Sequence, residues 1–192
     1  MLLNTMNDNE ILNEIKRDYT SCREKIRYYH NKFNNSVRNK LFITTDSYKM
    51  ITPNGNEWFT FYYGNMLNKY YKHYVFMRNM NGSYKVLSIN IQDNDVYGIT
   101  IFSAHFFDRY RERYHKNSPI PFKTLFYDFL SKNPIFLSVG TDEGNYTIMR
   151  EGVGLVEFSS IKNVCYVNTF ITKDMLKSDQ KELLKNYLDI LK

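Results

Sequence analysis

Cysteine is almost missing from this chain. Only Cys22 and Cys165 occur among 192 residues. Each lies inside an apolar pattern, so thiols supply neither a disulfide framework nor a zinc site. Long apolar runs are missing as well: no stretch approaches the roughly 18 consecutive apolar residues of a membrane span. Met1 to Glu10 shows no basic start followed by an apolar run, so no secretory signal is expected and a cytoplasmic home follows. Several chemical signatures are also lacking. There is no Gly-x-Ser-x-Gly elbow, no Gly-Lys-Ser/Thr phosphate loop and no His-Glu-x-x-His pair. Gly152-Val153-Gly154 lacks the third glycine and the following helix of a dinucleotide loop. Neither cysteine sits beside a histidine, so a Cys–His nucleophile is unsupported. No cofactor and no metal are expected. No internal repeat or low-complexity linker interrupts the chain.

Apolar and aromatic residues are plentiful. At 43% hydrophobic and 17% aromatic, the chain has ample material for a packed core, which argues against disorder over most of its length. The formal charge is +6 and the pI near 9.1, a balance that favours an anionic partner. The chain is also rich in Lys, Asn, Tyr and Ile, a bias that AT-rich coding alone produces. Where the charge sits therefore says more than its sum. Lys16, Arg17, Arg23, Lys25, Arg27, Lys32, Arg38 and Lys40 crowd one segment against Asp18 and Glu24. Arg109, Arg111, Arg113 and Lys116 form a second cluster, opposed by Asp108 and Glu112.

The periodicity predicts an α+β fold. Ile11, Ile15, Tyr19, Cys22, Ile26, Tyr29, Phe33 and Val37 recur at steps of three and four, the stripe of one amphipathic helix from about Asp8 to Arg38. That stripe suits either a sheet of its own chain or a partner helix. From Leu41 the period becomes two. Leu41 to Thr52 and Glu57 to Tyr63 flank Pro53-Asn54-Gly55-Asn56, while His73 to Met80 and Ser83 to Ile91 flank Asn81-Gly82. With Val96 to Phe102 they make an antiparallel sheet of about five strands; Asn65 to Lys72 reads as a link. Ser103 is a candidate N-cap for a helix with the stripe Phe106, Phe107, Tyr110 and Tyr114. Ser118 caps a second helix, with Pro119 in its first turn and Phe122, Leu125, Phe126, Phe129 and Leu130 buried, ending near Asn133 before Pro134. A four-stranded antiparallel meander follows: Ile135 to Val139, Tyr146 to Arg150, Val153 to Phe158 and Val164 to Ile171. A C-terminal helix from about Ser178 buries Leu183, Leu184, Tyr187, Leu188 and Leu191. The chain thus divides into a helix-and-sheet region over 1–97 and a second α+β region over 98–192, or forms one unit from both.

The chemistry concentrates in Ser103 to Arg113. On a helix His105, Arg109 and Arg113 stand at i, i+4 and i+8, one polar ladder beside the aromatic stripe. An imidazole with an ordinary pKa near 6.5 moves protons at neutral pH. Guanidinium forks hold phosphate oxygens and stabilise charge that builds on phosphorus. The same spacing also lets Asp108, Arg109, Glu112 and Arg113 pair among themselves on a solvated face, with His105 at the core edge. A metal at Asp108 and Glu112 would compete poorly with the neighbouring arginines.

A helix carrying His-x-x-x-Arg, a second helix and a four-stranded meander resemble the compact RNase fold shared by barnase, EndoU, colicin-type and RelE-type toxins, several branches of which are bacterial or phage-borne. The matching pieces are His105 and Arg109, with Arg113, and the late strand Val167-Asn168-Thr169-Phe170-Ile171-Thr172; the resemblance spans roughly 98–172. It implies metal-independent RNA cleavage, in which the ribose 2′-OH attacks its own phosphodiester and leaves a 2′,3′-cyclic phosphate. His105 would act as general base or acid, and Arg109 and Arg113 would hold the phosphate. Thr169 would orient it, with Tyr166 or Asn168 stacking on or hydrogen-bonding a base. RNA is then the expected partner, with an antitoxin or other protein as a further one and no membrane. Strict alternation sets Thr169 with Cys165, Val167 and Ile171 on the core face and Tyr166, Asn168 and Phe170 on the other. Two other readings stay open. One is a nucleic-acid binder without catalysis, using the basic helix and Tyr28, Tyr29, Tyr70 and Tyr71. The other is a protein-interaction module of an immunity or regulatory kind.

Overall fold

The structure, a computed structural model, describes residues 1–116, 119–142 and 144–190. It is α+β and divides into two compact units, Met1–Ile101 with Ser159–Val164, and Phe102–Phe158 with Cys165–Lys192. Among the described residues no helix is long and apolar enough to cross a membrane.

In the first unit, helix α1 spans Asp8–Ser36. Its start is fixed by a capping box: the Asn7 side chain accepts from Glu10 N at 3.1 Å, and Glu10 Oε2 accepts from Asn7 N at 2.8 Å. The expected apolar stripe is buried from Ile11 to Val37, apart from half-buried Tyr29. Each such side chain contributes about 1.5–3 kcal/mol of transfer free energy. It packs within its own unit: Tyr29 stacks on Tyr48 at 4.4 Å, and Phe33 lies 5.0 Å from Tyr62.

The sheet partner comprises β1 (Thr44–Ile51), β2 (Glu57–Gly64), β3 (Lys69–Arg78), β4 (Tyr84–Gln92) and β5 (Asp95–Phe102), in sequential order. The first three pairings are antiparallel. The link before β3 is shorter than the sequence suggests. Asn65 Oδ1 accepts from Leu67 N and Asn68 N at 2.9 and 3.0 Å, closing a tight loop that lets β3 start at Lys69. A turn signal that sequence reading passed over joins β4 to β5: Asp93 and Asn94 hold φ of 52° and 62°, the left-handed pair of a two-residue hairpin. β2 is buried without a break from Trp58 to Tyr62, so both of its faces are covered. Ser159–Val164 returns to this unit through the Ile99 N to Asn163 O bond of 2.9 Å. Gly98 permits that approach, since a Cβ there would stand 2.5 Å from Asn163 O.

The second unit opens with α2 (Ala104–His115) and α3 (Phe122–Lys132). Ser103 caps α2 as expected. The expected Ser118 cap lies outside the described residues, and α3 begins later than the sequence suggested, with Pro121 in the N-cap position and no side-chain cap. Phe102, Phe106, Phe107, Phe126, Phe129 and Phe170 form an aromatic core, with Phe106 to Phe129 and Phe106 to Phe170 both at 5.5 Å and edge-on. The meander β6 (Leu137–Thr141), β7 (Gly144–Ile148), β8 (Gly152–Phe158) and β9 (Val164–Thr172) is antiparallel throughout.

α4 (Ser178–Ile190) buries Leu184 against Val139, Ile148, Val153 and Leu176, with Leu188 half-buried beside them. Leu183 and Tyr187, expected to be buried, are 38% and 39% exposed, so the helix buries a narrower stripe than its sequence offers. Leu191 lies outside the described residues.

β9 departs from strict alternation. Leu155 faces Thr169 while Val156 faces Val167, so Asn168 is an extra residue, a β-bulge. The bulge reverses the faces that follow it. Val167 and Phe170 are both fully buried, and Thr169 is only half-buried. Phe170, assigned to the outer face by simple alternation, is a core residue.

Candidate functional site

The bulge also seats α2. Ser103 N donates to Val167 O at 3.1 Å, its hydroxyl donates to Asn168 O at 2.8 Å, and the same oxygen accepts from Phe106 N at 3.1 Å. The first turn of α2 is thereby pinned to the strand that carries Thr169. Further along, the Tyr110 hydroxyl donates to Glu151 Oε2 at 2.8 Å, and the buried Asn133 amide donates to the same oxygen at 2.9 Å while its carbonyl accepts from Glu151 N. His115 and Lys132 approach Asp128 at 3.0 and 2.9 Å. Burial, reinforced by the Glu151 carboxylate, drives the Tyr110 phenol far above its ordinary pKa, so it remains a donor. These bonds tie α2, α3 and the β7–β8 turn together and leave α2 one face for solvent.

That face carries the ladder. His105 is exposed, and its Nε2 accepts from Arg109 Nε at 3.3 Å, which assigns the neutral ring's proton to Nδ1. Arg109 Nη1 is engaged by Glu112 at 2.7 Å. Arg111 faces Asp108 at 3.7 Å. Among the described residues two guanidinium nitrogens of this helix are buried without an acceptor, Arg111 Nε and Arg113 Nη1, and only the second belongs to the ladder. Burial first, then the like charge of Arg109, holds the Arg113 guanidinium below its usual pKa. Asp174 lies close enough to act on it, and a hydrogen bond from Thr172 keeps that carboxylate below the usual range.

The structure thus brings His105 and Arg109 into direct contact and sets Arg113 one turn beyond. Asn168 is at the foot of the helix, where its Nδ2 donates to Glu157 Oε2 at 2.8 Å. Thr169 and Tyr166 lie on the same strand, half-buried, opposite Leu155 and Glu157. The ladder's charges partly pair among themselves, as the solvated-face alternative expects, but Arg113 leaves an unmatched donor.

Sequence reading missed a second polar site, in the first unit. A cavity of about 620 Å³ opens between α1 and the β3–β4 end of the sheet. Its floor holds Ile26, His73 and Ile89, all buried. His30 lies 5.2 Å from His73, stacked upon it, and 4.1 Å from Tyr71. His73 Nδ1 pairs with the Thr60 hydroxyl at 3.0 Å. Burial, with His30 and Lys72 adding to it, pushes the His73 imidazole down to about 3, so it is neutral at physiological pH. Burial lowers His30 too. Strand alternation turns Lys72 away from the His73 face, and its ammonium donates to Asn90 Oδ1 at 3.4 Å. A weak signal for this site was present: His30 stands four residues after Ile26, beside the apolar stripe and on its basic flank.

Comparison with protein-family models, curated proteins and solved structures gives no significant match to this chain.

Proposed function

We propose that the chain is a metal-independent endoribonuclease of the RNase-toxin kind, with its reaction centre on α2. The observation that carries this reading is the row His105, Arg109 and Arg113, in which an imidazole touches one guanidinium and the next keeps a buried nitrogen without an acceptor. Such a nitrogen is a donor waiting for an anion, because leaving it unmatched costs about 1–3 kcal/mol or more. The Arg109–Glu112 pair does not block the site. Both partners are more than 40% exposed, and such pairs contribute only about 0–1 kcal/mol. A phosphodiester therefore displaces Glu112 at little cost.

In the reaction the ribose 2′-oxygen bonds to phosphorus and the P–O5′ bond breaks. The 2′-hydroxyl loses its proton to a base, and the departing 5′-oxygen gains one from an acid. His105 serves in one of these two roles, and the arginines take up the charge that builds on the equatorial oxygens. Thr169 orients the phosphate, while Tyr166 and Asn168 meet the base. No cofactor is required.

The test is incubation of total RNA with the chain in excess EDTA beside His105→Ala and Arg113→Ala. Cyclic-phosphate ends from the parent are expected, with each substitution lowering the rate about 10²-fold or more, and the exposed His105→Ala change leaving stability within about 0.5 kcal/mol. Equal cleavage by the His105→Ala protein would remove His105 from the reaction. A second reading, nucleic-acid binding without cleavage, is favoured by the engagement of Arg109 and Asn168 with carboxylates; it expects intact RNA and salt-sensitive binding.

A further inference from the structure

The cavity of the first unit has the composition of a small-molecule site: an apolar and aromatic floor under a polar rim. Its wall is ring-lined, with Tyr19, His30 and Tyr71 around the buried His73. Tyr71 is 49% exposed, so part of the His30–Tyr71–His73 ring group remains open to a ligand. The rim is amide and cation: Asn31, Asn34 and Asn94, with Arg23 and Arg27. Arg27 shares an exposed pair with Glu24, the sole carboxylate of the lining. Arg23 pairs with no carboxylate among the described residues. His30 Nε2 is buried and has no hydrogen-bond partner among the described residues.

Each of these elements selects one part of the same ligand. Guanidinium groups on a rim select a phosphate. A partly exposed aromatic ring selects a planar ring, on which a base can stack. Asparagine amides offer a donor and an acceptor each, the pattern that matches a base edge. An unpartnered imidazole nitrogen at the wall adds one more polar contact for a heterocycle. A purely apolar ligand would leave the amides and guanidinium groups unused, and inorganic phosphate would leave the ring wall bare.

We infer that this cleft binds a nucleotide, with the base against Tyr71 and His30 and the phosphate at Arg23 and Arg27. The nucleotide is either free or one unit of an RNA strand, since both present the same base and phosphate. The inference does not depend on cleavage by the second unit.

The experiment is calorimetric titration of the full chain with the four ribonucleoside 5′-monophosphates, their nucleosides, inorganic phosphate and a 12-nucleotide RNA of mixed sequence. The RNA arm uses the His105→Ala protein, so that strand breakage does not enter. At least one monophosphate is expected to bind, tenfold or more tighter than its nucleoside and than inorganic phosphate. Arg23→Gln and Tyr71→Ala should each weaken it at least fivefold with an unchanged melting temperature. Lys49→Gln, an exposed lysine outside the cleft, should leave it unaltered. RNA that binds and is displaced by the monophosphate assigns the cleft to a strand, and monophosphate binding without RNA binding assigns it to a free nucleotide. The inference is overturned if neither binds at millimolar concentration, if phosphate alone binds as well as the nucleotide, or if both cleft variants bind like the parent.

Discussion

In the first unit a carboxylate and an imidazole, Asp18 and His73, lie beneath the surface, whereas in the second His105 and Arg109 stand exposed on a helix. Asp18 and His73 are at most 3% exposed, and each is held by a neighbour's hydrogen bond, from Trp58 Nε1 at 2.5 Å and with the Thr60 hydroxyl at 3.0 Å. Among the described residues His105 has only the lateral hydrogen bond with Arg109. The contrast separates two ways of using polar groups. Buried ones fix a single arrangement, since losing a partner leaves an unsatisfied group in a low dielectric. Exposed ones cost the fold little and remain free to rearrange around a ligand. Substitutions should therefore cost stability in the first setting and activity in the second.

The largest effect tests whether the second unit has a rigid frame behind its exposed ladder. Phe129→Ala should lower stability by about 3–5 kcal/mol in urea denaturation. A loss under 1 kcal/mol would mean that the aromatic cluster is not close-packed and cannot position α2. Next comes acid. The His73 imidazole is pushed down to about 3 in the folded unit, against an ordinary value of 6.5. Above pH 6.5 both states are neutral and the histidine is without effect. As pH falls from 6.5 toward 3 the unfolded chain binds a proton that the folded one refuses, so stability drops by roughly 1.4 kcal/mol per unit. Denaturation of the parent and of His73→Gln at pH 7 and 4.5 checks this: the variant should lose less on acidification, and equal losses would contradict the burial argument.

Asp18→Ala should cost about 1–3 kcal/mol, because it strands the Trp58 indole N–H and the Asn54 amide; Asp18→Asn, which keeps an acceptor, should cost less. Ser103→Ala removes the α2 cap and the tie to Asn168, with an expected loss of about 1 kcal/mol in the same assay. At the bottom of the scale, Glu24→Gln should change stability by no more than about 0.5 kcal/mol, since the Glu24–Arg27 pair is exposed on both sides.

Much of the architecture was legible because periodicity depends on local sequence. The α1 stripe, the Asn81-Gly82 turn and the Ser103 cap each announce themselves within a few residues. What escaped depends on partners distant in sequence. The Asn168 bulge arises where β9 turns its carbonyls to Ser103, 65 residues away, and no pattern within β9 marks it. The burial of Asp18 needs Trp58, 40 residues on. The ladder was visible as spacing, yet its pairing of Arg109 with Glu112 and the burial of Arg113 Nη1 are matters of side-chain geometry. Composition alone offers Tyr71 for base stacking. Its neighbours His30 and His73 come together only when α1 lies on β3.

The chain contains one tryptophan. Trp58 is fully buried in the first unit, beside the Asp18 carboxylate and 6.2 Å from Tyr19, a ring of the cleft wall. Its emission is therefore a private optical channel for that unit. A ligand seated against Tyr19 stands one ring away from the fluorophore, and unfolding of the second unit contributes no indole signal at all. A single cuvette measurement, selectively excited, can follow one half of the molecule without a label.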